Sequence, residues 1–455
     1  MEVPPVTAAG HVVVVPYPSR GHINPMMNLS KLLVSKNRDI LVTFVVTEQW
    51  LGVLSSEPRP RNIQVCSISN LMSPEMAPMD FLDMVEAVMT KMEAPFERLL
   101  DRLEPPPTII IYDNFLFWVL SVGNRRNIPV ASFWTTSTLC FWVQQHYHLL
   151  EKGDFLENGE ELVDCIPGIH PIRVAEIPFL DGSWQSQKII QWVKKASHWV
   201  PKAQYLLFYS IYELEAEVID ILKNKFSLPI YAIVPTMDYF SHEGNSLNSR
   251  INNRNYLHWL DCQPSKSVLY ISHGSCCSVS SAQIEEIAAA LCDSGIRFLW
   301  IAREEASRLK EICGDVGLVL AWCDQLRVLL HPAIGGFWTH CGWNSTMEGV
   351  FAGVPFLTFP ITMDQALNSK IIVEDWKVGW RVKKDAEVDT LVRKDEIAEI
   401  VTKFMDLESD LGRNLRKKAK ELQQIFHLAI ANHGSNETNI NAFVNEIIEV
   451  SCIKG

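Results

Sequence analysis

The sequence predicts an α/β chain made of two parallel-sheet units in series, on three observations. The chain has 455 residues, and two domains of roughly 200 residues each are the natural division of that length. Short runs rich in Val, Ile, Leu and Phe alternate with longer segments of helical spacing. Continuous apolar strands separated by helices imply parallel sheets covered on both faces. A polar stretch rich in Asn and Ser (237–255) interrupts the alternation, which then restarts.

In the first unit, HVVVVPYP (11–18), ILVTFVVT (40–47), IQVCSI (63–68), TIIIYD (108–113), VASFWT (130–135) and YLLFYS (205–210) read as strands. A helix is expected from about Asn24, with Pro25 in its first turn, where a missing N–H costs nothing. Segments 81–103 and 115–126 carry helical spacing. In the second unit the strands are SVLYISHG (267–274), FLWIAR (298–303), GLVLAW (317–322), IGGFWTH (334–340) and FLTFP (356–360). A helix is expected from Ser281, and the tail from about Lys394 is mostly helical. The expected division is 1–236, a join at 237–255, and 256–455.

Composition narrows the function. Apolar residues make up 47% and charged residues 21%, which is ordinary for a soluble globular chain. A net charge of −12 leaves no basic excess to neutralise nucleic-acid phosphates. No apolar run approaches the roughly 18–20 residues of a membrane span. The N-terminal segment has no basic lead-in and breaks its apolar run at Pro16, unlike a signal peptide. The eleven cysteines are scattered without a CxxC pair, which fits reduced thiols and a cytoplasmic location. Cys323, His331, His340 and Cys341 fit no common zinc spacing.

Ligands of open α/β sheets bind beyond the carboxyl ends of the strands, and the chemistry-bearing residues cluster there. The densest stretch is 322–365, WCDQLRVLLHPAIGGFWTHCGWNSTMEGVFAGVPFLTFPITMDQ. Trp322 closes a strand; it is either a core aromatic or an exposed indole that stacks on a flat base. Gln325 follows one turn on. In HCGWNS (340–345), Gly342 permits a tight backbone, and Asn344 and Ser345 open a helix, as caps, as phosphate ligands, or as both. Glu348 gains from the helix dipole and also suits vicinal ribose hydroxyls. Asp364 and Gln365 offer carboxylate and amide groups for sugar hydroxyls, with a plain helix cap as the alternative for Asp364. Ser275, between a strand and a helix, adds a hydroxyl that could face phosphates.

At the other end of the chain, His22 follows the first strand, and Asp113 ends the fourth. If those strands end at one edge, the two side chains meet as a general base with an orienting carboxylate. A loop histidine and a helix-capping aspartate are the alternatives. GxGxxG is absent after the first strand, and GxxxxGK[ST] is missing throughout, which disfavours nicotinamide binding and a P-loop nucleotidase.

The stretch WxxQ, HP, THCGWNS, Glu348, GVP and the final Asp364-Gln365 resembles the signature box of plant family 1 UDP-glycosyltransferases. GHINP (21–25) and YDNF (112–115) with the later FWTT (133–136) resemble that family's catalytic segments. The resemblance implies a GT-B architecture, two facing Rossmann-like domains with a cleft between them, the last helix packing back on the first domain. It implies inverting transfer of glucose from UDP-glucose to a hydroxyl of a small lipophilic acceptor such as a flavonoid, another phenolic, a terpenoid or a hormone. By resemblance, His22 is the base and Asp113 its partner, and Thr135 contacts the sugar. Trp322 stacks on the uracil, Cys323 is among the donor-binding residues, and Gln325 and Glu348 hold the ribose. His340, Asn344 and Ser345 lie at the diphosphate; Trp343, Asp364 and Gln365 contact the sugar. A final Gln, as at 365, is associated with glucose donors.

No DxD pair stands in the relevant loops, so no metal cofactor is expected; the family expectation is a monomer. The family usually has an apolar residue where His273 stands. Acceptor-lining candidates are Phe115, Phe117, Trp118, Phe141, Trp142, Trp184 and Trp192, of which about a third are expected to face the cleft. The alternatives are another UDP-sugar donor, C-glycoside formation, or a protein that binds a UDP-sugar or a lipophile without turnover.

Overall fold

The computed structural model describes residues 9–55, 57–69, 81–150, 159–181, 183–235, 255–274, 279–383 and 391–454. Ser275 and nearly all of the expected join lie outside them. The first sheet has seven strands in the order β3-β2-β1-β4-β5-β8-β9. They are β1 (Gly10–Val15), β2 (Ile40–Thr47), β3 (Ile63–Ile68), β4 (Ile109–Asp113), β5 (Val130–Trp134), β8 (Tyr205–Phe208) and β9 (Ile230–Ala232). Between β5 and β8, β6 (Leu162–Val163) and β7 (Ile172–Arg173) make a small antiparallel hairpin. The second sheet has six strands in the order β12-β11-β10-β13-β14-β15. They are β10 (Val268–Ser272), β11 (Arg297–Ile301), β12 (Gly317–Leu320), β13 (Ile334–Thr339), β14 (Phe356–Thr358) and β15 (Gly379–Arg381).

Every ladder in these two large sheets is parallel. Val12 to Val15 are fully buried although successive side chains point to opposite faces. That requires helices on both faces, as the unbroken apolar strands predict. The short edge strands β9 and β15 carry no period of their own and escape a sequence reading.

The strand order sets the site. In the first sheet β2 leaves β1 on one side and β4 on the other. In the second, β11 and β13 flank β10 in the same way. Such switch points open a crevice at the carboxyl ends of the strands. His22 and Asp113 follow one of them; Gly274 and His340 follow the other.

The first helix differs from expectation. It runs Arg20–Lys36 from an N-cap at Ser19, so Pro25 lies inside it rather than in its first turn. The two halves meet through specific contacts. Trp343 Nε1 donates to the Tyr209 carbonyl (2.7 Å) and Trp376 Nε1 to that of Leu214 (3.3 Å). Asn344 Nδ2 donates to the Gly21 carbonyl at 2.8 Å. Four charges form a ring across the interface. Arg381 pairs with Glu176 and with Glu374 at 2.7 Å each, and Arg173 reaches Glu374 at 3.0 Å and also binds Glu176.

The chain ends in a helix, Ser435–Lys454, that returns to the first sheet. There Asn436 Oδ1 accepts from the Val234 amide (2.7 Å), and Asn439 Nδ2 donates to the Ala232 carbonyl (2.9 Å). Phe443 packs on Tyr205 and Tyr231.

Candidate active site

His22 is the third residue of its helix, just beyond β1. Its Nδ1 lies 2.6 Å from Asp113 Oδ2 and 3.0 Å from Thr135 Oγ1. Asp113 is fully buried at the end of β4, and its other oxygen accepts from the Phe115 amide at 3.1 Å. Both carboxylate oxygens are therefore engaged and the group is held in one orientation. With Nδ1–H given to the carboxylate, proton acceptance falls to Nε2. Tyr17 and Phe115 flank the ring, with centroids 5.2 and 5.8 Å away. Thr135, expected at the sugar, places its hydroxyl against His22 Nδ1 and so supports the base.

The second half presents its residues along one edge. Trp322 is 64% exposed, which removes the core alternative for this indole. Cys323 departs from expectation as a side chain. It is buried with its thiol 3.5 Å from Tyr270 Oη, and burial pushes that thiol up to about 12. Gln325 accepts from Tyr270 Oη (3.1 Å) and donates from Nε2 to Ser345 Oγ (3.0 Å) and Glu348 Oε2 (2.7 Å). The two residues assigned to ribose are thus already joined. Burial pushes the Glu348 carboxyl up to about 7, against the lowering effect of Gln325.

The helix Trp343–Ala352 starts at Gly342, directed at the same edge, so its first amides have no intrahelical acceptor. Beside it lies His340, which burial lowers to about 4 and keeps neutral. A Cβ on Gly274 or Gly342 would come within 2.3 or 2.4 Å of His340 Nε2. Both glycines make room for that imidazole, and Gly274 also needs its φ of +80°. Asn344 Oδ1 is buried without a hydrogen-bond partner among the described residues. A buried orphan beside free helix-start amides is what a polar ligand site looks like before its ligand arrives.

Trp343 overturns its assignment. Its ring is 3% exposed, bonded to Tyr209 and packed against Trp376 at 6.0 Å, so the side chain is a strut between halves. Asp364 is held by Asn368 Nδ2 at 2.9 Å; burial raises its carboxyl while His22 acts to lower it. Gln365 Oε1 accepts the amides of Ile361 (2.9 Å) and Thr362 (3.1 Å), which turns the side chain into a brace for its own loop. Its Nε2 makes no bond among the described residues.

The aromatic candidates divide. Phe115 edges His22, and Phe117 stacks on Trp192 at 6.1 Å. Trp118 and Phe141 are core residues, packed on Phe96 and on Trp134 and Phe208, and Trp142 is buried with Nε1 on the Pro167 carbonyl. Helical spacing marks a buried face without saying whether core or cleft lies beyond it. Trp184 is 60% exposed at the start of its helix, with the Lys188 ammonium over its ring. His273 sits among Trp300, Trp338 and Phe359, and burial lowers it to about 3, so a neutral imidazole fills an aromatic box.

Sequence reasoning missed Tyr17, Tyr209, Asn368 and Trp376. Asn368 was the findable one, four residues after Asp364 on a helix face. Among the described residues no group of His, Cys, Asp and Glu is arranged to hold a metal ion, and no helix is long and apolar enough to cross a membrane. A cavity of about 510 Å3 lies at the domain interface, lined by Leu139, Leu214, Glu215, Lys370 and Trp376, away from His22.

Residues 206–392 match the family described as UDP-glucoronosyl and UDP-glucosyl transferase. UDP-glycosyltransferase 87A1 of Arabidopsis thaliana is 46% identical over 96% of this chain and 100% of its own length. The fold is also that of UGT71G1 of Medicago truncatula, whose structure is complexed with UDP-glucose. The TM-score is 0.80 at 26% identity, covering 96% of this chain and 98% of that one. UGT2 of Phytolacca americana, complexed with UDP-2fluoro-glucose and pterostilbene, gives the same TM-score and identity, with 96% and 99% covered. Two parallel-sheet domains, facing across a cleft with the dyad on one side and the helix-start cradle on the other, make a GT-B glycosyltransferase, and the chain belongs to the plant family 1 UDP-glycosyltransferases.

Proposed function

We propose that this glycosyltransferase moves glucose from UDP-glucose to a hydroxyl of a small lipophilic acceptor, with inversion at the anomeric carbon. The observation that carries the reading is the His22–Asp113 dyad, reached from the donor half by the Asn344–Gly21 hydrogen bond. The uracil stacks on exposed Trp322, and the ribose hydroxyls are taken by Glu348, held in place by Gln325. The amides at the start of helix Trp343–Ala352, neutral His340, Asn344 and Ser345 receive the diphosphate; Ser275 joins them on its place in the sequence between a strand and a helix. Asp364 and Gln365 Nε2 receive the sugar hydroxyls.

His22 Nε2 takes the acceptor proton as the hydroxyl oxygen attacks C1 and the bond from C1 to the UDP oxygen breaks. Charge that grows on the leaving diphosphate meets dipoles already in place. Asp113 stabilises the imidazolium, and direct displacement needs no covalent intermediate and no resident metal. Phe115 and Tyr17 make the apolar wall beside His22 that suits a flat acceptor. The UDP-glucose complex of UGT71G1 and the pterostilbene complex of UGT2 support both choices.

The test is incubation with UDP-glucose and a panel of phenolic and terpenoid alcohols, read by product mass and by acid lability. An acid-labile glucoside of inverted configuration is expected. UDP-glucose binding without UDP release across the panel would show a binding protein instead, and an acid-stable product would show C-glycosylation.

A further inference from the structure

In an α-helix the N–H of residue i bonds the carbonyl of residue i−4. Within Arg20–Lys36 the partner due to the Gly21 carbonyl is the N–H of residue 25, and residue 25 is proline. Proline has no N–H, and its ring crowds the carbonyl four residues back. The Gly21 carbonyl is therefore without the i+4 donor that a helix ordinarily supplies. Asn344 fills the vacancy from the other half of the molecule, with Nδ2 at 2.8 Å. A Cβ on Gly21 would stand 3.9 Å from that nitrogen, in ordinary contact. Gly21 immediately precedes His22, and Asn344 is the second residue of the helix that offers its amides to the donor. An amide nitrogen carries two hydrogens, so one can hold Gly21 while the other meets an anion.

We propose that Pro25 is a positioning residue: by withholding a backbone N–H it reserves the Gly21 carbonyl for the Asn344 side chain, which registers the His22 turn against the donor cradle. The inference rests on the donor reading above. A helix broken for stability's sake would leave the carbonyl to water; here it is spent on a contact between catalytic base and donor site. Restoring the N–H gives the carbonyl a helical donor that draws it toward the helix axis and weakens its bond to Asn344.

The experiment is a double-mutant cycle of Pro25→Ala and Asn344→Ala, read by UDP-glucose KM, acceptor KM, kcat, UDP affinity by calorimetry and melting temperature. Alanine favours the helix, so Pro25→Ala is expected to melt no lower than wild type. UDP-glucose KM is expected to rise about threefold to tenfold, the size of one hydrogen bond, with acceptor KM unmoved. The double variant is expected to be no worse than Asn344→Ala alone, since both break one contact. Wild-type donor KM in Pro25→Ala, or effects that multiply in the double variant, would overturn the inference. A wild-type chain that binds no UDP would overturn the donor reading itself.

Discussion

At the His22 end of the cleft the polar groups satisfy one another: both oxygens of Asp113 are bonded, and His22 Nδ1 has two oxygens within 3.0 Å. At the Asn344 end the groups wait. Asn344 Oδ1 has no partner among the described residues, His340 is held neutral, and Glu348 is pushed up to about 7. In the proposed reaction His22 is orientated before substrate arrives, because a misplaced imidazole costs rate directly. The cradle is assembled from backbone and buried neutral groups that only an anionic ligand completes. One end is built for aim, the other for uptake, and substitutions at the two should separate rate from affinity.

The largest effect is expected at the aimed end. His22→Ala should cut turnover about 10²- to 10⁴-fold while leaving UDP affinity by calorimetry unchanged; a large loss of affinity would erase the distinction between the ends. Next comes the strut: Trp343→Ala should cost about 3–5 kcal/mol of stability, read by denaturant unfolding. Trp322→Ala, at an exposed ring, should leave the melting temperature alone and weaken UDP by about 1–3 kcal/mol. Equal stability losses for the two tryptophans would contradict their opposite burial.

Glu348 sharpens the uptake end through pH. Its folded value of about 7 exceeds the ordinary 4.5. Its contribution to stability is therefore present in full below about pH 4.5 and is lost as the pH rises through about 7, on the order of 3 kcal/mol. Ribose hydroxyls donate to the ionised form, so UDP-glucose should bind more tightly as the pH rises from about 6 to about 8. Glu348→Gln should flatten that profile in calorimetry. The smallest effect is expected at the ion ring, where Glu374→Gln should cost about 1 kcal/mol of stability, because Glu374 is 38% exposed and only part of the ring is lost.

Much of this was legible in the sequence. Strands buried on both faces announce themselves, and the residues that follow them gather where the strand order reverses. His22 meets Asp113, and Gln325 meets Ser345 and Glu348, each group beyond the ends of strands. What stayed hidden is direction. Trp322 and Trp343 both stand in the signature stretch, yet one ring faces outward and the other is locked under a carbonyl of the opposite domain. Trp118 and Phe141 point into the core for the same reason: period fixes a face, and only packing says what the face meets. The bond of Thr135 to the His22 ring, 113 positions away, is invisible along the chain. Pro25 was placed in a first turn because the helix begins earlier than its apolar residues do.

The closing helix Ser435–Lys454 belongs by sequence to one half and by packing to the other. Gly10 on β1 lies so close to it that an added Cβ would meet Ile447 at 2.9 Å. The first half is therefore completed by a helix that lies some two hundred residues downstream of its last strand. An isolated N-terminal half would leave the surface that seats Phe443 and Ile447 open to water. Hybrids that exchange acceptor halves between relatives should carry the terminal helix along with the first sheet, even though some two hundred residues separate them in the gene.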